Sequence, residues 1–469
     1  MVKYSKSLLF ILGALFFIIT TNIGFSQLIW QRAYGGAGYE KGLCVDQTTE
    51  GGYIVVGYTD SYGDSDQICL VKVDSLGDTL WTKTYGGAGR DWGYSAQQTV
   101  DKGYIITGYT TSFGSNEHIY LVKTDSLGDT LWTRTYGGAS SGNCVQQTTD
   151  GGYVIIGGPY GWDYWGDYWG RQGNFILIKT DSLGDTTWTE NFEDNGYSVQ
   201  QTLDGGFVCA GMIANDVYLV KTDSLGDTLW TKQYHYTSPT MEEGYSVRQT
   251  ADGGYIIAGY TLYVFDYHTD VYLIKADSLG DTLWTKEYGV ISGQGYEEGY
   301  CVEPTTDGGY IVAGYTDALG LGSAYVAKID SLGNDQWIRS YGGNSNDGSY
   351  SVQQTTDGGY IIAGFTYSFG NDCQVYLVKT DADGNTGIED NNSTWRQLYT
   401  SNIQVVPNPF VSFAAVLGYG RDHFILYDIT GQQVGCYPGS RIGCDLPAGV
   451  YFVISEDRDF SPVRIVKIR

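Results

Sequence analysis

One octapeptide constrains this chain more than any other feature. Asp-Ser-Leu-Gly-Asp-Thr-Leu-Trp stands at 74–81, 125–132, 223–230 and 277–284, with near copies DSLGDTTW at 181–188 and DSLGNDQW at 330–337. Each copy sits in a longer unit: YSVQQTTDGGYIIAGYT, a variable stretch, VYLVKTDSLGDTLWTKTYGG, and a second variable stretch. The landmark ring after the paired glycines falls at Tyr53, Tyr104, Tyr153, Phe207, Tyr255, Tyr310 and Tyr360. A period of about 50 residues belongs to repeat architectures, in which each unit buries its faces only against its neighbours.

Every unit holds four short runs rich in Val, Ile, Tyr, Thr and Trp, and none has a helical period, so four strands per unit are predicted. Asp-Gly-Gly joins the first two strands and Ser-Leu-Gly-Asp the last two, because glycine supplies positive φ and aspartate bonds its own backbone in tight turns. The second strand is apolar at nearly every position, as a strand covered on both faces must be. Seven such units predict an all-β fold, a seven-bladed β-propeller with four-stranded blades, with a linear β-solenoid as the alternative. The fourth strand, marked by Trp81, Trp132, Trp188, Trp230, Trp284 and Trp337, is missing after Asp381, while an orphan copy with Trp30 stands near the start. That copy either latches the last blade or begins a different phase of seven whole units. The repeated tryptophans, and Lys72, Lys123, Lys179, Lys221, Lys275, Lys328 and Lys379, are read as packing and turn-binding residues rather than a ligand ring.

The first 26 residues carry Lys3 and Lys6, an apolar run from Leu8 to Ile19, and Gly24 and Ser26 before a cut, the pattern of a secretory signal peptide. No other stretch is apolar enough to span a membrane, so the mature chain is expected to have no transmembrane span. A net charge of −26, more negative once Lys3 and Lys6 leave, argues against nucleic acid as a partner. Cys44, Cys144 and Cys301 take equivalent places in different units and read as free strand thiols. Cys436 and Cys444 flank a Pro-Gly turn that a disulfide can close.

No catalytic, metal or cofactor signature emerges. Gly138-Ala-Ser140-Ser-Gly142 fits G-x-S-x-G but leads into a strand, where a nucleophile elbow needs a helix. His118, His235, His268 and His423 show no metal-ligand spacing. DSLGD offers too few oxygens for a calcium loop. The stretch that departs from the repeat is PYGWDYWGDYWGRQG, 159–173, between strands two and three of the third unit. Its Tyr160, Trp162, Tyr164, Trp165, Tyr168 and Trp169 are the candidate ligand-binding residues, since exposed aromatics stack on sugars and anchor protein partners. The alternative is a loop that packs these rings onto its own blade.

After Asp381 the pattern lapses into a linker, 382–402, and a small β-sandwich is predicted over 403–469. It carries PNPF (Pro407, Asn408, Pro409, Phe410), LYDITGQQV with Asp428 and Gly431, and LPAGVYFV with Pro447, Gly449 and Tyr451. In that order these motifs resemble the type A C-terminal sorting domain of the type IX secretion system of Bacteroidetes-like bacteria. Fifteen residues separate PNPF from LYD, fewer than the family pattern has. The resemblance implies passage through the periplasm, recognition by outer-membrane secretion machinery, and release or attachment at the cell surface.

The organisation expected is therefore a signal peptide (1–26), a propeller (27–381), a linker and a sorting domain. The function expected is an extracellular or outer-surface binding or adhesion module with a glycan or protein ligand. A structural surface component, or a hydrolase or lyase with its site in the propeller mouth, are the alternatives.

Overall fold

The computed structural model describes residues 29–386 except for 63–64, 115, 138–139, 159–173, 194, 236–239, 266–267, 290–294, 319–320 and 371. Beyond these it describes 405–406, 415–416, 423–428, 432–438, 441–442, 446–455 and 463–467. The leader, the aromatic insert with all six candidate rings, PNPF, Gly431 and Cys444 lie outside the described residues.

Seven four-stranded antiparallel sheets follow one another along the chain. Blade one runs through Glu40–Gln47, Tyr53–Thr59, Gln67–Val73 and Thr79–Tyr85. Blades two to seven open with Asp91–Gln98, Ser141–Gln147, Asn195–Gln201, Thr240–Gln249, Glu297–Pro304 and Asp347–Gln354. Successive first strands touch, and that of blade seven touches that of blade one, so the sheets close into a ring around an axis. No helix occurs among the described residues. The chain is a seven-bladed β-propeller.

The phase left open by the sequence is decided by Trp30–Tyr34. This strand pairs with Gln374–Thr380, Trp30 opposite Lys379 and Tyr34 opposite Val375, and so becomes the fourth strand of blade seven. Further on, Gln433–Pro438, His423–Asp428, Gly449–Ser455 and Val463–Lys467 form a four-stranded sheet in that spatial order, and Val405–Val406 pairs with Ala415–Val416. Its motif residues have local structural work: the Tyr451 hydroxyl donates to the Pro447 carbonyl at 2.8 Å, and Tyr451 lies opposite Asp428.

The octapeptide does more than turn the chain. Its first aspartate accepts from two amides of its own loop, as Asp74 Oδ1 does from Leu76 (2.8 Å) and Asp78 (2.9 Å). Its glycine has φ between +77° and +93° in all seven blades, Gly384 serving blade seven. On that glycine rests the fourth-strand tryptophan of the preceding blade: a Cβ there would meet the indole at 2.8–3.1 Å in every seam. The indole also stands edge-on to the landmark ring of the next blade, centroids 5.6–6.2 Å apart, from Trp30–Tyr53 round to Trp337–Tyr360. The fourth-strand tyrosine donates to the same glycine's carbonyl, as in Tyr85 to Gly128 (2.7 Å) and Tyr234 to Gly280 (2.8 Å). Lys83 pairs with Asp129 and Lys232 with Asp281 across two of these seams. The octapeptide leucines Leu76, Leu127, Leu183, Leu225, Leu279 and Leu332 are exposed, and nothing in the structure explains why leucine recurs there.

The repeated lysines serve the other turn. Lys123, Lys179, Lys221, Lys275, Lys328 and Lys379 are buried, and each ammonium lies 2.8–3.0 Å from the aspartate of the first turn of its own blade, Asp-Gly-Gly in all but blade two, where it is Asp101-Lys102-Gly103. Burial alone would raise the Asp150 carboxyl, but its bonds from Lys179, Thr148 and the Gly152 amide hold it down at about 2. In blade one Glu50 replaces the aspartate, and Lys72 donates to Thr48 instead. Burial lowers Lys72 to about 8.

Gly280 and Gly205 separate the two demands on a turn glycine. Both have positive φ, +78° and +84°, but a Cβ at Gly280 would meet Trp230 at 2.8 Å whereas none of the protein lies within 4 Å of one at Gly205. Gly205→Ala is expected to cost about 1–2 kcal/mol for the left-handed backbone. Gly280→Ala is expected to cost about 1–3 kcal/mol more, because the indole must shift. Urea unfolding measures both, and equal losses would remove the seam from the explanation.

Candidate functional site

The Asp-Gly-Gly and Ser-Leu-Gly-Asp turns share one face of the ring, here the lower. The connections between strands two and three and between blades share the upper face, where lengths and sequences vary. Variable loops on a rigid scaffold are where binding chemistry concentrates.

A buried acid stands at or near the start of the first strand of five blades: Glu40, Asp91, Glu242, Glu297 and Asp347, none more than 1% exposed. Most of these tie upper loops together. Asp91 accepts from the Gly87 amide (2.8 Å) of the interblade loop and the Ser112 hydroxyl (2.6 Å) of the strand 2–3 loop. Asp347 does the same with Gly343 and Ser368, each at 2.7 Å. Asp91 and Asp347 are thus occupied in holding the rim.

Three positions beyond these acids, and at the matching place in the other two blades, the first strand bulges. The ladder skips one residue, which is Tyr94, Tyr197, Tyr245, Tyr300 or Tyr350 in five blades, Leu43 in blade one and Asn143 in blade three. A bulge re-aims a side chain that a regular strand would send into the blade interface. Here the rings meet around the axis: Tyr197–Tyr245, Tyr245–Tyr300 and Tyr300–Tyr350 have centroids 4.9, 5.5 and 5.2 Å apart. Phe365 and Tyr367 continue the arc from Tyr350, and Tyr39 meets Tyr367. In blades one and two Trp92 stacks on Tyr58 (4.3 Å, 10°), beside Tyr94 and Tyr109.

Blade three interrupts this aromatic belt. Its corresponding residues are Ser141, Asn143, Gly157 and Gly158, and Asn143 is turned to the Gly196 carbonyl (2.8 Å). The aromatic insert 159–173 begins at the next residue. The six insert aromatics expected to bind a ligand thus follow this non-aromatic sector directly in sequence, and their own positions lie outside the described residues.

Charged groups punctuate the belt beside the bulge. Glu243 accepts from the Tyr197 hydroxyl at 3.1 Å, and Tyr300 donates to Glu298. Burial raises Glu298 to about 7, opposed by the Tyr300 bond and reinforced by the charges of Glu243 and Asp317. Glu298 keeps partial solvent contact yet is surrounded by protein. Lys41 lies over Phe365 at 4.7 Å, and burial brings it down to about 8. Tyr245, Tyr300, Tyr350 and Phe365 are buried against one another, while Tyr39, Tyr197 and Tyr367 are only partly buried, so these last rings and the Glu298 carboxyl offer apolar faces, a donor and an acceptor together. The sequence hid this set because the bulge is a register event between strands.

No family model and no curated protein matches the chain. Solved structures match its architecture at low identity. The β-propeller domain of the Trilobed protease from Pyrococcus furiosus is 10% identical, with 76% of this chain and 99% of that one covered, at a TM-score of 0.44. Sqt1 from Chaetomium thermophilum is 9% identical, with 76% and 99% covered, at 0.44. BamB from Moraxella catarrhalis is 11% identical, with 74% and 100% covered, at 0.39. At such values the likeness says nothing of activity.

The folded chain binds the Glu298 proton more tightly than the unfolded chain does. Its contribution to stability is therefore full below about 4.5 and is lost as pH rises to about 7. Relative to wild type, Glu298→Gln should gain stability between pH 5 and 8, by up to about 2 kcal/mol. Urea unfolding at both pH values tests this, and a difference between the two proteins that does not change with pH would show that Glu298 ionises normally.

Proposed function

We propose that this chain is an exported, surface-exposed binding module that takes a saccharide at its upper mouth. The observation that carries the reading is the aromatic belt around the axis, interrupted in blade three where the aromatic insert begins. Aromatic faces stack on sugar rings, and Glu298, backed by the buried Glu243, supplies a hydrogen-bonding group that fixes a sugar hydroxyl. The acidic mouth favours a neutral or basic sugar over an acidic one. A second reading, a hydrolase or lyase, is favoured by that same pair, since neighbouring carboxylates of which one stays protonated near neutrality can serve as acid and base. A structural surface component draws on no feature of the mouth.

Purified chain on a glycan array should bind a defined saccharide. The triple change Trp162→Ala, Trp165→Ala and Trp169→Ala should weaken that binding at least about tenfold with little change in melting temperature. A silent array, or a triple variant that binds as well as wild type, would overturn the saccharide reading; release of cleaved sugar would turn it into the enzyme reading.

Delivery rests on the leader at 1–26 and on the sorting motifs of 403–469. Residues Pro407 to Phe410, Asp428, Gly431, Pro447, Gly449 and Tyr451 are proposed to present this module to outer-membrane secretion machinery. A chain ending at residue 402 should accumulate in the periplasm as a folded propeller. Fractionation that finds the truncated chain outside the cell in normal amount would end the sorting proposal.

A further inference from the structure

One seam of the upper face differs from the others in its chemistry. In blade four strands two and three join through a two-residue turn, Ala214 and Asn215, both with positive φ (51° and 72°). The Asn215 carbonyl accepts from the Glu242 amide of blade five at 2.7 Å, which docks that acid against this short turn. Asp216 follows the turn directly. His235 follows the fourth strand of blade four, at a place where most of the other blades carry glycine.

The three side chains converge. His235 Nδ1 lies 2.9 Å from Asp216 Oδ1 and 3.6 Å from Glu242 Oε2, and all three ligand atoms lie within 4.8 Å of one another. Tetrahedral zinc with bonds of about 2.0–2.1 Å sets its ligand atoms about 3.3–3.4 Å apart, close to these separations. Glu242 is fully buried, Asp216 intermediate and His235 exposed, so the cluster opens outward on the imidazole side.

The adjoining seam provides a natural control. Blade five repeats the aspartate as Asp270, blade six repeats the acid as Glu297, and Gly289 stands where the histidine would be. There the acid accepts from its strand-two threonine, Thr316 to Glu297 at 3.2 Å, as Thr59 does to Glu40 at 2.9 Å. In the histidine seam the matching Thr261 hydroxyl is buried and makes no hydrogen bond among the described residues. Introduction of the imidazole thus coincides with the acid's leaving its usual structural partner.

We propose that Asp216, His235 and Glu242 form a zinc site that clamps blade four to blade five, with its remaining coordination position open on the upper face. One nitrogen and two carboxylate oxygens match zinc and similar divalent transition ions, whereas calcium takes oxygen ligands throughout. The site is separate from the aromatic belt and does not depend on the saccharide reading.

Tag-free chain, stripped with EDTA and dialysed, is titrated with zinc chloride by calorimetry. One ion per chain is expected, bound at least about tenfold more weakly by His235→Ala and by Asp216→Asn. His235 is half exposed, so wild type and His235→Ala should melt together in EDTA, and zinc should raise the melting temperature of wild type alone. Cobalt in place of zinc should give visible absorption that His235→Ala loses. Absence of a bound ion, equal binding by His235→Ala, or preference for calcium over zinc would leave a plain His235–Asp216 ion pair and overturn the proposal.

Discussion

The docking of one tryptophan on one glycine holds this ring together. In each seam the indole needs a flat surface without a Cβ, and only the glycine of the next blade's hairpin provides it. That glycine must already be in the left-handed region to close the turn. Turn geometry and interblade packing therefore select the same residue, and the surrounding octapeptide supplies acceptors for the indole and phenol of the preceding blade. Trp30 Nε1 donates to the Ser75 carbonyl at 3.0 Å, and Trp284 Nε1 to Ser331 at 3.2 Å. Because every seam uses the same device, the blades can diverge elsewhere without losing their spacing.

That divergence is organised by height. Near the lower end of the first strands, the first glutamine of one blade accepts from the amide of the second glutamine in the next, as Gln97 does from Gln147 (2.8 Å) and Gln200 from Gln249 (2.6 Å). Where the relay meets Pro304, which has no amide to donate, Arg248 and Glu303 replace the glutamines and pair at 2.6 Å. A break in one hydrogen-bond ring is thus offset by an ion pair in the same seam. At the upper end no such correction operates, and acids, aromatics and the histidines His118, His235 and His268 accumulate on the same scaffold.

Local chemistry was legible in the sequence, and relations between blades were not. Asp-Gly-Gly and Ser-Leu-Gly-Asp announce hairpins because their signal lies within five residues, and alternating β-formers announce the strands. The use of Gly128 as a platform for Trp81 could not be read, because the two belong to different units and each already has a sufficient local reason to recur. The lysines were read as reaching turn aspartates, and they reach those of the first turn. Tyr245 and Tyr300 are part of the repeat, yet only the ladder shows that they are the residues it skips. His235 has no metal-ligand spacing because its two neighbours, Asp216 and Glu242, come from other strands, in two different blades. The insert was visible as a departure, while the belt was hidden by the regularity around it.

Ring closure by the first strand sets a problem of timing. Gln31 finds Tyr376 345 residues later, so a chain emerging at about 5–20 residues per second waits roughly 17–70 s before its first strand can pair. During that wait six other blades, each with a third strand nearly identical to the intended partner, pass by. Their own fourth strands follow after one short turn, and a hairpin forms in about 1–10 μs. Each wrong edge therefore stays open for only about 0.6–2.4 s, the time needed to make the 12 or so residues that complete its own fourth strand. Only the strand ending at Thr380 is followed by a turn with no fourth strand behind it among the described residues. A chain of near-identical repeats thus identifies its own end by leaving one edge vacant.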